Sequence, residues 1–348
     1  MLDFMKEKLS SWDKIKQSGL PVVVYGMGNG ADKVIDEFIR LDIPILGVTA
    51  SDDFVRGQMF RGFKVKKLCE FDGEFIIAVA FASCIPDVMN HIYSLCEKHR
   101  VIVPCVPVFG DEIFNRGFIE KHEDKLNAAY ALFEEDSKKI FAGCVGFMFG
   151  GELETLKSIT TDKKEVFENI LTLNNNESYL DLGAYRGDTV EEFLHYCGNE
   201  YAAITALEPD RRTFKKLTEY LANVPKSEAY QKAIYSESKT LVFSSKAGRQ
   251  STISSKGEEV EATTVDELCA DKTVTYIKMD VEGAEKEAIN GGEKTLETQK
   301  PKLNIALYHK SADIFEIPLQ IAKINPDYRF YLRRHPYIPC WDMNLYCI

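Results

Sequence analysis

The sequence predicts an α/β protein with two mostly parallel sheets, one in each half of the chain. Short apolar runs rich in β-branched residues alternate with amphipathic segments of helical spacing, first from Pro21 and again from Tyr179. Parallel strands that are buried on both faces are apolar along their whole length, so this alternation indicates strands covered by helices. The 348 residues fit two domains, since a domain averages about 150 residues.

The first domain is predicted at residues 1–110 as a small Rossmann-like parallel sheet, preceded by an amphipathic N-terminal helix. The strand PVVVYG runs into the glycine turn GMGNGA and the helical segment DKVIDEFIRL, and the strands IPILGVTA and EFIIAVA follow. Gly26, Gly28 and Ala31 satisfy a G-x-G-x-x-A pattern, and Asp52 follows where a ribose-binding acid is expected. A scaffold turn without a nucleotide remains the alternative.

Residues 111–174 are predicted to be a helical connector, and residues 175–348 a second α/β domain. The connector contains FIEKHEDKLNAAYALFEEDSKKIF and TDKKEVFENILTL, both with helical spacing. The polar run Asn174–Glu177 marks the turn before the strand YLDLG.

Composition narrows the possible functions. With 45% hydrophobic and 28% charged residues the chain can fold into globular domains, and its net charge of -11 argues against nucleic-acid binding. Nine cysteines without a CxxC pair, and a charged N-terminus without an apolar core, favour a cytoplasmic protein that does not contact membranes. Six histidines without zinc-site spacing predict no metal. A small-molecule substrate is expected, and a homo-oligomer is left open.

The loop DLGAYRGDT carries the first chemical signal of the second domain. Gly183 and Gly187 allow the backbone to turn tightly and to approach a nucleoside. The acids Asp181 and Asp188 would repel a pyrophosphate, but they would attract a ligand that carries a sulfonium and an α-ammonium group. This loop therefore favours S-adenosylmethionine over NAD.

Later strand ends add further acids. Glu208 closes the strand AAITAL, where an acid can accept hydrogen bonds from both ribose hydroxyls. Asp280 and Glu282, in YIKMDVEGAE, are predicted to lie beside the sulfonium, with a structural helix cap as the alternative. If Thr189 is the N-cap of the helix after the glycine loop, it forms a capping box with Glu192.

The last strands suggest residues for the acceptor. His309 ends the strand in KLNIALYHKSAD and is the leading candidate for the base, although a histidine there is often only hydrogen-bonded within the sheet edge. Lys310, Asp313 and Arg333 are candidate acceptor-binding residues, with a solvated face as the alternative. YRFYLRRH and WDMNLYCI predict a closing antiparallel strand pair.

These blocks, in this order, resemble the FkbM-type methyltransferase family over the C-terminal half of the chain: DLGAYRGDT, ALEPD, QKAIYSES, TTVDEL, YIKMDVEGAE, KPKLNIALYHKSAD and YRFYLRRH. The resemblance implies a class I methyltransferase sheet and, commonly, O-methylation of sugars or other hydroxylated metabolites. It places cofactor binding on Asp181, Gly183, Ala184, Gly187, Glu208 and Asp280, and the adenine near Lys232, Ala233 and Ile234. The neighbouring Tyr185, Asp188, Thr189 and Pro209 complete the predicted cofactor site.

Three functions follow as hypotheses. The first is methyl transfer from S-adenosylmethionine to a hydroxyl of a sugar or other small, possibly nucleotide-linked acceptor. His309 is the expected base, Asp280 orients the cofactor's aminopropyl arm or shares the acceptor, and Glu282 is the third candidate catalytic residue. The N-terminal domain would recruit or orient that acceptor. The second is an NAD-dependent oxidoreductase that uses the N-terminal glycine turn. The third is a non-catalytic binding module.

Overall fold

Two sheets with mostly parallel strands organise the computed structural model, which describes residues 7–246, 250–253 and 258–348. The chain divides into two units. The first runs to Ala131 and includes Glu135–Thr161 and Arg334–Met343; the second comprises Leu132–Glu134, Asp162–Arg333 and Asn344–Ile348. These boundaries do not coincide with those predicted at 110 and 174. Helical spacing identifies the connector helices, but it does not indicate to which unit they belong.

The first unit contains six strands and six helices of the described chain, except for the last residue of the fourth helix. In chain order they are α1 (Ser11–Ser18), β1 (Val22–Tyr25), α2 (Asn29–Arg40), β2 (Ile45–Thr49), β3 (Met59–Phe60), β4 (Phe63–Lys66), β5 (Ile76–Val79), α3 (Pro86–Leu95), β6 (Arg100–Ile102), α4 (Arg116–Leu132), α5 (Glu135–Gly150) and α6 (Leu153–Ser158). The sheet order is β3-β4-β2-β1-β5-β6.

The core of this sheet follows from its apolar strands. All four residues of β1 are buried, and α2 packs its buried face onto the same cluster through Val34, Ile35 and Phe38. The hairpin β3–β4 was not predicted; Arg61 and Gly62 form its two-residue turn at φ 50° and 84°, as a type I′ turn requires. The predicted N-terminal helix begins only at Ser11, and residues 1–6 lie outside the described residues.

The second unit contains the larger sheet. Its elements are α7 (Lys163–Glu165), continued by a π-helical turn (Val166–Leu171), β7 (Ser178–Leu182), α8 (Asp188–Tyr196), β8 (Ala203–Leu207), α9 (Arg211–Leu221), β9 (Ser227–Tyr230), β10 (Ala233–Ile234), β11 (Lys239–Lys246), β12 (Gln250–Ile253), β13 (Glu258–Thr263), α10 (Val265–Leu268), β14 (Tyr276–Met279), α11 (Glu285–Asn290), α12 (Glu293–Thr298), β15 (Lys302–Ala306), α13 (Asp313–Ile324), β16 (Phe330–Arg334) and β17 (Met343–Cys347).

The strand order of the large sheet, β16-β17-β15-β14-β7-β8-β9, determines where a ligand can bind. From β7 the chain proceeds outward through β8 and β9, and then returns to the other side of β7 with β14 and β15. Ligands of such sheets bind at the point where the order reverses, beyond the carboxyl ends of the strands. β17 runs antiparallel to β15 and lies between β15 and β16, which confirms the predicted closing pair.

A second, four-stranded sheet with the order β10-β13-β11-β12 was not predicted. The strand β13 reads EEVEAT, so half of its residues are acidic, and its inward-facing apolar positions are too few to stand out in the sequence. The predicted α/β class with mostly parallel sheets is confirmed. None of the helices in the described ranges is long and apolar enough to cross a membrane.

Candidate cofactor and catalytic site

A cavity opens beyond the carboxyl ends of β7, β8 and β14, where the strand order reverses. Most of the predicted site residues line it: Gly183, Tyr185, Asp188, Thr189, Glu208, Pro209, Lys232, Ala233, Ile234, Asp280 and Glu282. Lys278, Tyr308 and Asp210 also line it, although none of them was assigned a role from the sequence. The structure thus brings together residues from strand ends that are far apart in the chain.

The glycine loop after β7 fits closely against its neighbours. Gly183 has φ 84°, and a Cβ atom there would lie 1.9 Å from the carbonyl oxygen of Asp280. The N–H groups of Gly183 and Ala184 donate to the carbonyl of Leu207 at 3.1 and 2.9 Å. Gly187, at φ 96°, is the N-cap of α8. Only glycine combines this backbone conformation with such a close approach at position 183.

Thr189 is therefore not the N-cap, and the proposed capping box with Glu192 is wrong. The helix α8 begins at Asp188, two residues earlier than a helix capped by Thr189 would begin, because Gly187 supplies the left-handed turn that starts it. The Thr189 hydroxyl instead donates to the carboxylate of Asp181. The residue still lines the cavity, so its predicted place in the cofactor site is retained.

Asp181 supports the loop from below. It is fully buried and does not line the cavity; the ammonium of Lys278 lies 3.5 Å from it and donates to the carbonyl of Gly183 at 2.9 Å. Burial raises the pKa of Asp181, and Lys278 opposes that shift. Burial also acts to lower the pKa of Lys278, but Asp181 and Asp280 outweigh it and raise that pKa. The two residues form a buried ion pair beneath the glycine loop.

Glu208 is held rigidly at the cavity wall. Its carboxylate accepts hydrogen bonds from the N–H groups of Tyr185 at 3.0 Å and Asp210 at 2.9 Å. Only 7% of the residue is exposed, and burial raises the pKa of its carboxyl to about 7, against the lowering effect of the backbone donors. A carboxylate offers about four acceptor positions, so capacity for ligand hydroxyls remains.

The second group of acids surrounds His309. Its Nε2 lies 3.4 Å from Oδ1 of Asp280 and 3.5 Å from Oε2 of Glu282. Asp280 also accepts the hydroxyl of Tyr308, at 3.2 and 3.3 Å to its two oxygens. The side chains of Asp280 and Glu282 are about one-third exposed and line the cavity, whereas that of His309 is 1% exposed. His309 therefore lies behind the wall formed by the two acids.

Glu285 organises this group, although no sequence pattern singled it out. Its Oε1 accepts the N–H groups of Val281 at 2.9 Å and Gly283 at 3.3 Å, and it lies 2.8 Å from Nδ1 of His309. The residue is 1% exposed. Burial acts to raise the pKa of Glu285, but His309 and the backbone donors outweigh it and lower that pKa. Its carboxylate holds both the loop and the imidazole.

Asp280, Glu285 and His309 also bring potential metal-ligand atoms to within 4.8 Å of one another. The prediction of no metal did not foresee this cluster, since two separate segments form it: DVEGAE supplies Asp280 and Glu285, and the end of the YHK strand supplies His309. The 2.8 Å between Nδ1 and Oε1 is a hydrogen-bond distance. Glu285 and the imidazole are therefore in direct contact as an ion pair.

The three predicted acceptor-binding residues do not line the cavity. Lys310 donates its ammonium to the carbonyl of Gly283. Asp313 is buried, and its carboxylate accepts the N–H of Lys310 at 2.7 Å. Arg333 pairs with Glu134 at 2.9 Å and Glu165 at 3.1 Å. It lies on the edge strand β16, with β17 and β15 between it and β14, so proximity in sequence to the closing hairpin did not imply proximity to the site.

The glycine turn of the first unit has a different environment. Gly26 has φ 139°, and Gly28 is the N-cap of α2, so the predicted order of strand, turn and helix is confirmed. The side chain of Asp52 is 66% exposed, and its carboxylate lies 3.3 Å from the ammonium of Lys67. Nucleotide binding at this turn stays a prediction.

The strand order of the large sheet is that of a methyltransferase-like α/β fold. The acid-lined cavity lies where ligands of such sheets bind. Residues 181–338 match the family model described as the Methyltransferase FkbM domain, which confirms the resemblance: this part of the chain is a domain of the FkbM methyltransferase family. No curated protein matches the chain.

One solved structure shares this fold over nearly the whole chain. Methyltransferase FkbM from Methylobacillus flagellatus KT superposes with a TM-score of 0.72 over 96% of this chain and 92% of its own, at 16% identity. A putative rRNA-methylase from Clostridium thermocellum gives a TM-score of 0.35 at 11% identity, over 54% of this chain and 95% of its own. Fibrillarin from Aeropyrum pernix, in complex with S-adenosyl-L-methionine, gives 0.34 at 10% identity, over 51% and 69%. Only the first likeness is close enough to support the shared fold.

Proposed function

We propose that this chain is an S-adenosylmethionine-dependent methyltransferase that methylates a hydroxyl group of a small acceptor such as a sugar. The observation that carries the proposal is the acid-lined cavity at the reversal of strand order, within the FkbM domain. Family membership supports methyl transfer. The choice of cofactor and acceptor rests on the chemistry of the cavity.

The charges of the cavity suit a cationic nucleoside. Its acidic lining residues are Asp188, Glu208, Asp210, Asp280 and Glu282, and its lysines are Lys232 and Lys278. Lys278 is already paired with Asp181, so negative charge is in excess. A sulfonium and an α-ammonium would be attracted here, and a pyrophosphate would be repelled. This excess of negative charge disfavours the NAD-dependent alternative at this site.

Shape and polarity fit the remainder of the cofactor. Leu207, Pro209, Ala233 and Ile234 provide an apolar wall beside Glu208. We assign the ribose hydroxyls to Glu208, whose orientation the N–H groups of Tyr185 and Asp210 fix before any ligand arrives. The adenine would then lie against the apolar wall near Ala233 and Ile234.

When bound, S-adenosylmethionine supplies the methyl group that the acceptor oxygen takes by in-line displacement. The residues of the chain contribute positioning, which can supply much of the rate acceleration, and a group that removes the hydroxyl proton. Asp280 and Glu282 are the acids that line the cavity on the side of β14. We assign to the first unit the recruitment or orientation of the acceptor.

Calorimetry with S-adenosylhomocysteine tests the proposal. We expect one site per chain, and Glu208→Ala should weaken binding about 10- to 100-fold, or about 1.5 to 3 kcal/mol, the usual value for hydrogen bonds to a charged group. Glu219→Ala is the matched control, because Glu219 is exposed on the neighbouring helix α9. Absence of binding to the wild-type chain would refute the proposal. Equal affinity in Glu208→Ala would remove Glu208 from the ribose site.

A further inference from the structure

The contacts of His309 determine which of its nitrogens can carry protons. Nδ1 lies 2.8 Å from a carboxylate oxygen of Glu285, and Nε2 lies 3.4 and 3.5 Å from carboxylate oxygens of Asp280 and Glu282. Ionised carboxylates only accept hydrogen bonds. A neutral imidazole would direct a lone pair at one of these acids. The arrangement is therefore satisfied by a ring that is protonated on both nitrogens.

Such a ring cannot act as a base. An imidazolium has no lone pair with which to accept a proton, and His309 is 1% exposed behind the cavity wall. Glu282 and Asp280 line the cavity, so they can meet an acceptor hydroxyl directly. Asp280 already accepts the Tyr308 hydroxyl. Glu282 is thus the best-placed proton acceptor.

We propose that Glu282 accepts the proton of the acceptor hydroxyl, and that His309 and Glu285 are positioning residues that hold Glu282 at the cavity wall. This inference rests on the proposed methyl transfer. The acceptor oxygen forms a bond to the methyl carbon as the methyl–sulfur bond breaks. The electron pair of the broken bond stays on sulfur. The hydroxyl proton moves to a carboxylate oxygen of Glu282.

The backbone around Glu282 supports this role for Glu285. Glu282 has φ 54°, a left-handed conformation that costs a non-glycine residue energy and is often found at functional sites. Its two chain neighbours, Val281 and Gly283, both donate their N–H groups to Glu285. Glu285 therefore holds the residue on each side of Glu282 by its N–H group while also pairing with His309.

Electrostatics are consistent with the assignment. Burial raises the pKa of Glu282 to about 7; His309 and Lys278 act to lower it, and Asp280 and Glu285 to raise it. A base acts best when its pKa lies near the working pH. Burial acts to lower the pKa of His309, but Glu285, Asp280 and Glu282 outweigh it and raise that pKa to about 10. Burial raises the pKa of Asp313 to about 7, and this carboxyl also interacts with Glu285 and His309.

Nuclear magnetic resonance on protein with ¹⁵N-labelled histidine tests the proposal without an acceptor. Among the six histidines, the His309 signals are those that disappear in His309→Asn. In the full-length wild-type chain at pH 7.5 we expect both ring nitrogens of His309 to be protonated. In Glu285→Gln the titration midpoint should fall by at least about one pH unit. Glu287→Gln, on the same helix α11, is the control and should leave the midpoint unchanged.

A neutral His309 in the wild type at pH 7.5 would overturn the proposal. So would loss of its Nε2 proton on addition of Zn²⁺ or Mg²⁺ at that pH, because the acids and the imidazole would then be metal ligands. S-adenosylhomocysteine binding is measured by calorimetry on the same samples. If the wild type binds it but His309 is neutral, only this inference fails. If the wild type does not bind it, the proposed function fails.

Kinetics provide a second test with a monosaccharide that the wild-type chain methylates. Glu282→Gln should lower kcat about 100-fold or more, remove the rise of rate with pH near 7, and leave the KM for S-adenosylmethionine within about twofold. His309→Asn should lower kcat but retain that rise, with a shifted midpoint. If His309→Asn lost the rise of rate with pH and Glu282→Gln retained it, His309 would be the base and the proposal would be wrong.

Discussion

The chain contains two glycine turns that look alike in sequence and differ in surroundings. The turn at residues 26–31 joins β1 to α2, and the turn at residues 183–188 joins β7 to α8. A Cβ atom at Gly26 would lie 3.0 Å from the carbonyl oxygen of Ala80, whereas a Cβ atom at Gly183 would lie only 1.9 Å from that of Asp280. Glycine spacing thus predicts strand, turn and helix in both units. The neighbouring strand ends are what distinguish a ligand site.

The acids that follow the next strand show the same difference. Asp52 is two-thirds exposed and pairs with Lys67 at the surface. Glu208 is 7% exposed and is oriented by two backbone N–H groups. An oriented, desolvated carboxylate binds hydroxyls more effectively than a solvated one, because less of the binding energy is lost in ordering it. Burial and orientation, rather than the presence of an acid, separate the two sites.

The largest expected effect concerns the buried ion pair of Asp181 and Lys278, compared with the exposed pair of Asp52 and Lys67. Lys278→Met should lower the free energy of unfolding of the second unit by about 3 to 5 kcal/mol, because it leaves the buried Asp181 without its partner. Lys67→Met, which removes the exposed partner of Asp52, should cost no more than about 1 kcal/mol. Differential scanning calorimetry measures both. Equal costs in the two variants would contradict the difference in burial.

The glycines themselves provide the next comparison. Gly183→Ala should destabilise the protein by about 1 to 3 kcal/mol or more, since alanine at φ 84° is strained and its Cβ would meet the Asp280 carbonyl. Gly28→Ala, in extended backbone with open space, should change stability by less than about 0.5 kcal/mol. Thermal unfolding followed by circular dichroism decides this. A Gly183→Ala protein as stable as Gly28→Ala would show that the loop has room to shift.

Much of the fold and part of the site could be predicted from the sequence. Buried parallel strands are apolar throughout, so β1, β7, β8 and β14 stand out, and acids directly after such strands must lie at one sheet edge. Glu208, Asp280 and Glu282 were found in this way. The sheet of β10 to β13 was missed because its strands are polar and short, and a local pattern could not assign the connector helices to a unit.

The residues that organise the site gave weaker signals. Glu285 follows DVEGA at the start of a helix, where an acid is commonplace, and only the fold shows it buried against His309. Lys278 was detectable in principle, since a lysine inside the apolar strand YIKM requires a buried partner. Arg333 lies away from the cavity, because β17 is inserted between its strand and β15, and the sequence does not reveal this strand order.

The pH dependence of the free energy of unfolding tests the burial of Glu208. The folded-state pKa of Glu208 is raised from 4.5 to about 7, so between these values the folded state binds more protons than the unfolded state. The free energy of unfolding should therefore fall as pH rises from 4.5 to 7, by about 1 to 3 kcal/mol. Glu208→Gln should reduce that slope, as measured by urea unfolding at each pH. An unchanged slope would place the titration elsewhere.

The smallest expected effect concerns the first unit. Asp52→Ala should leave the dissociation constant of S-adenosylhomocysteine within about twofold of the wild-type value, since rim charges that are solvated contribute little. Calorimetry under the conditions used for Glu208→Ala gives a direct ratio of the two effects. If Asp52→Ala lost as much affinity as Glu208→Ala, the turn of the first unit would also contribute to cofactor binding.

The most direct test of the central claim is a crystal structure of the full chain with S-adenosylhomocysteine. We expect one ligand in the cavity beyond β7, β8 and β14, with its ribose hydroxyls on Glu208, its adenine beside Ile234, and its thioether on the side of Asp280 and Glu282. Density for the ligand at residues 26–31, or in the cavity with the ribose turned away from Glu208, would contradict it.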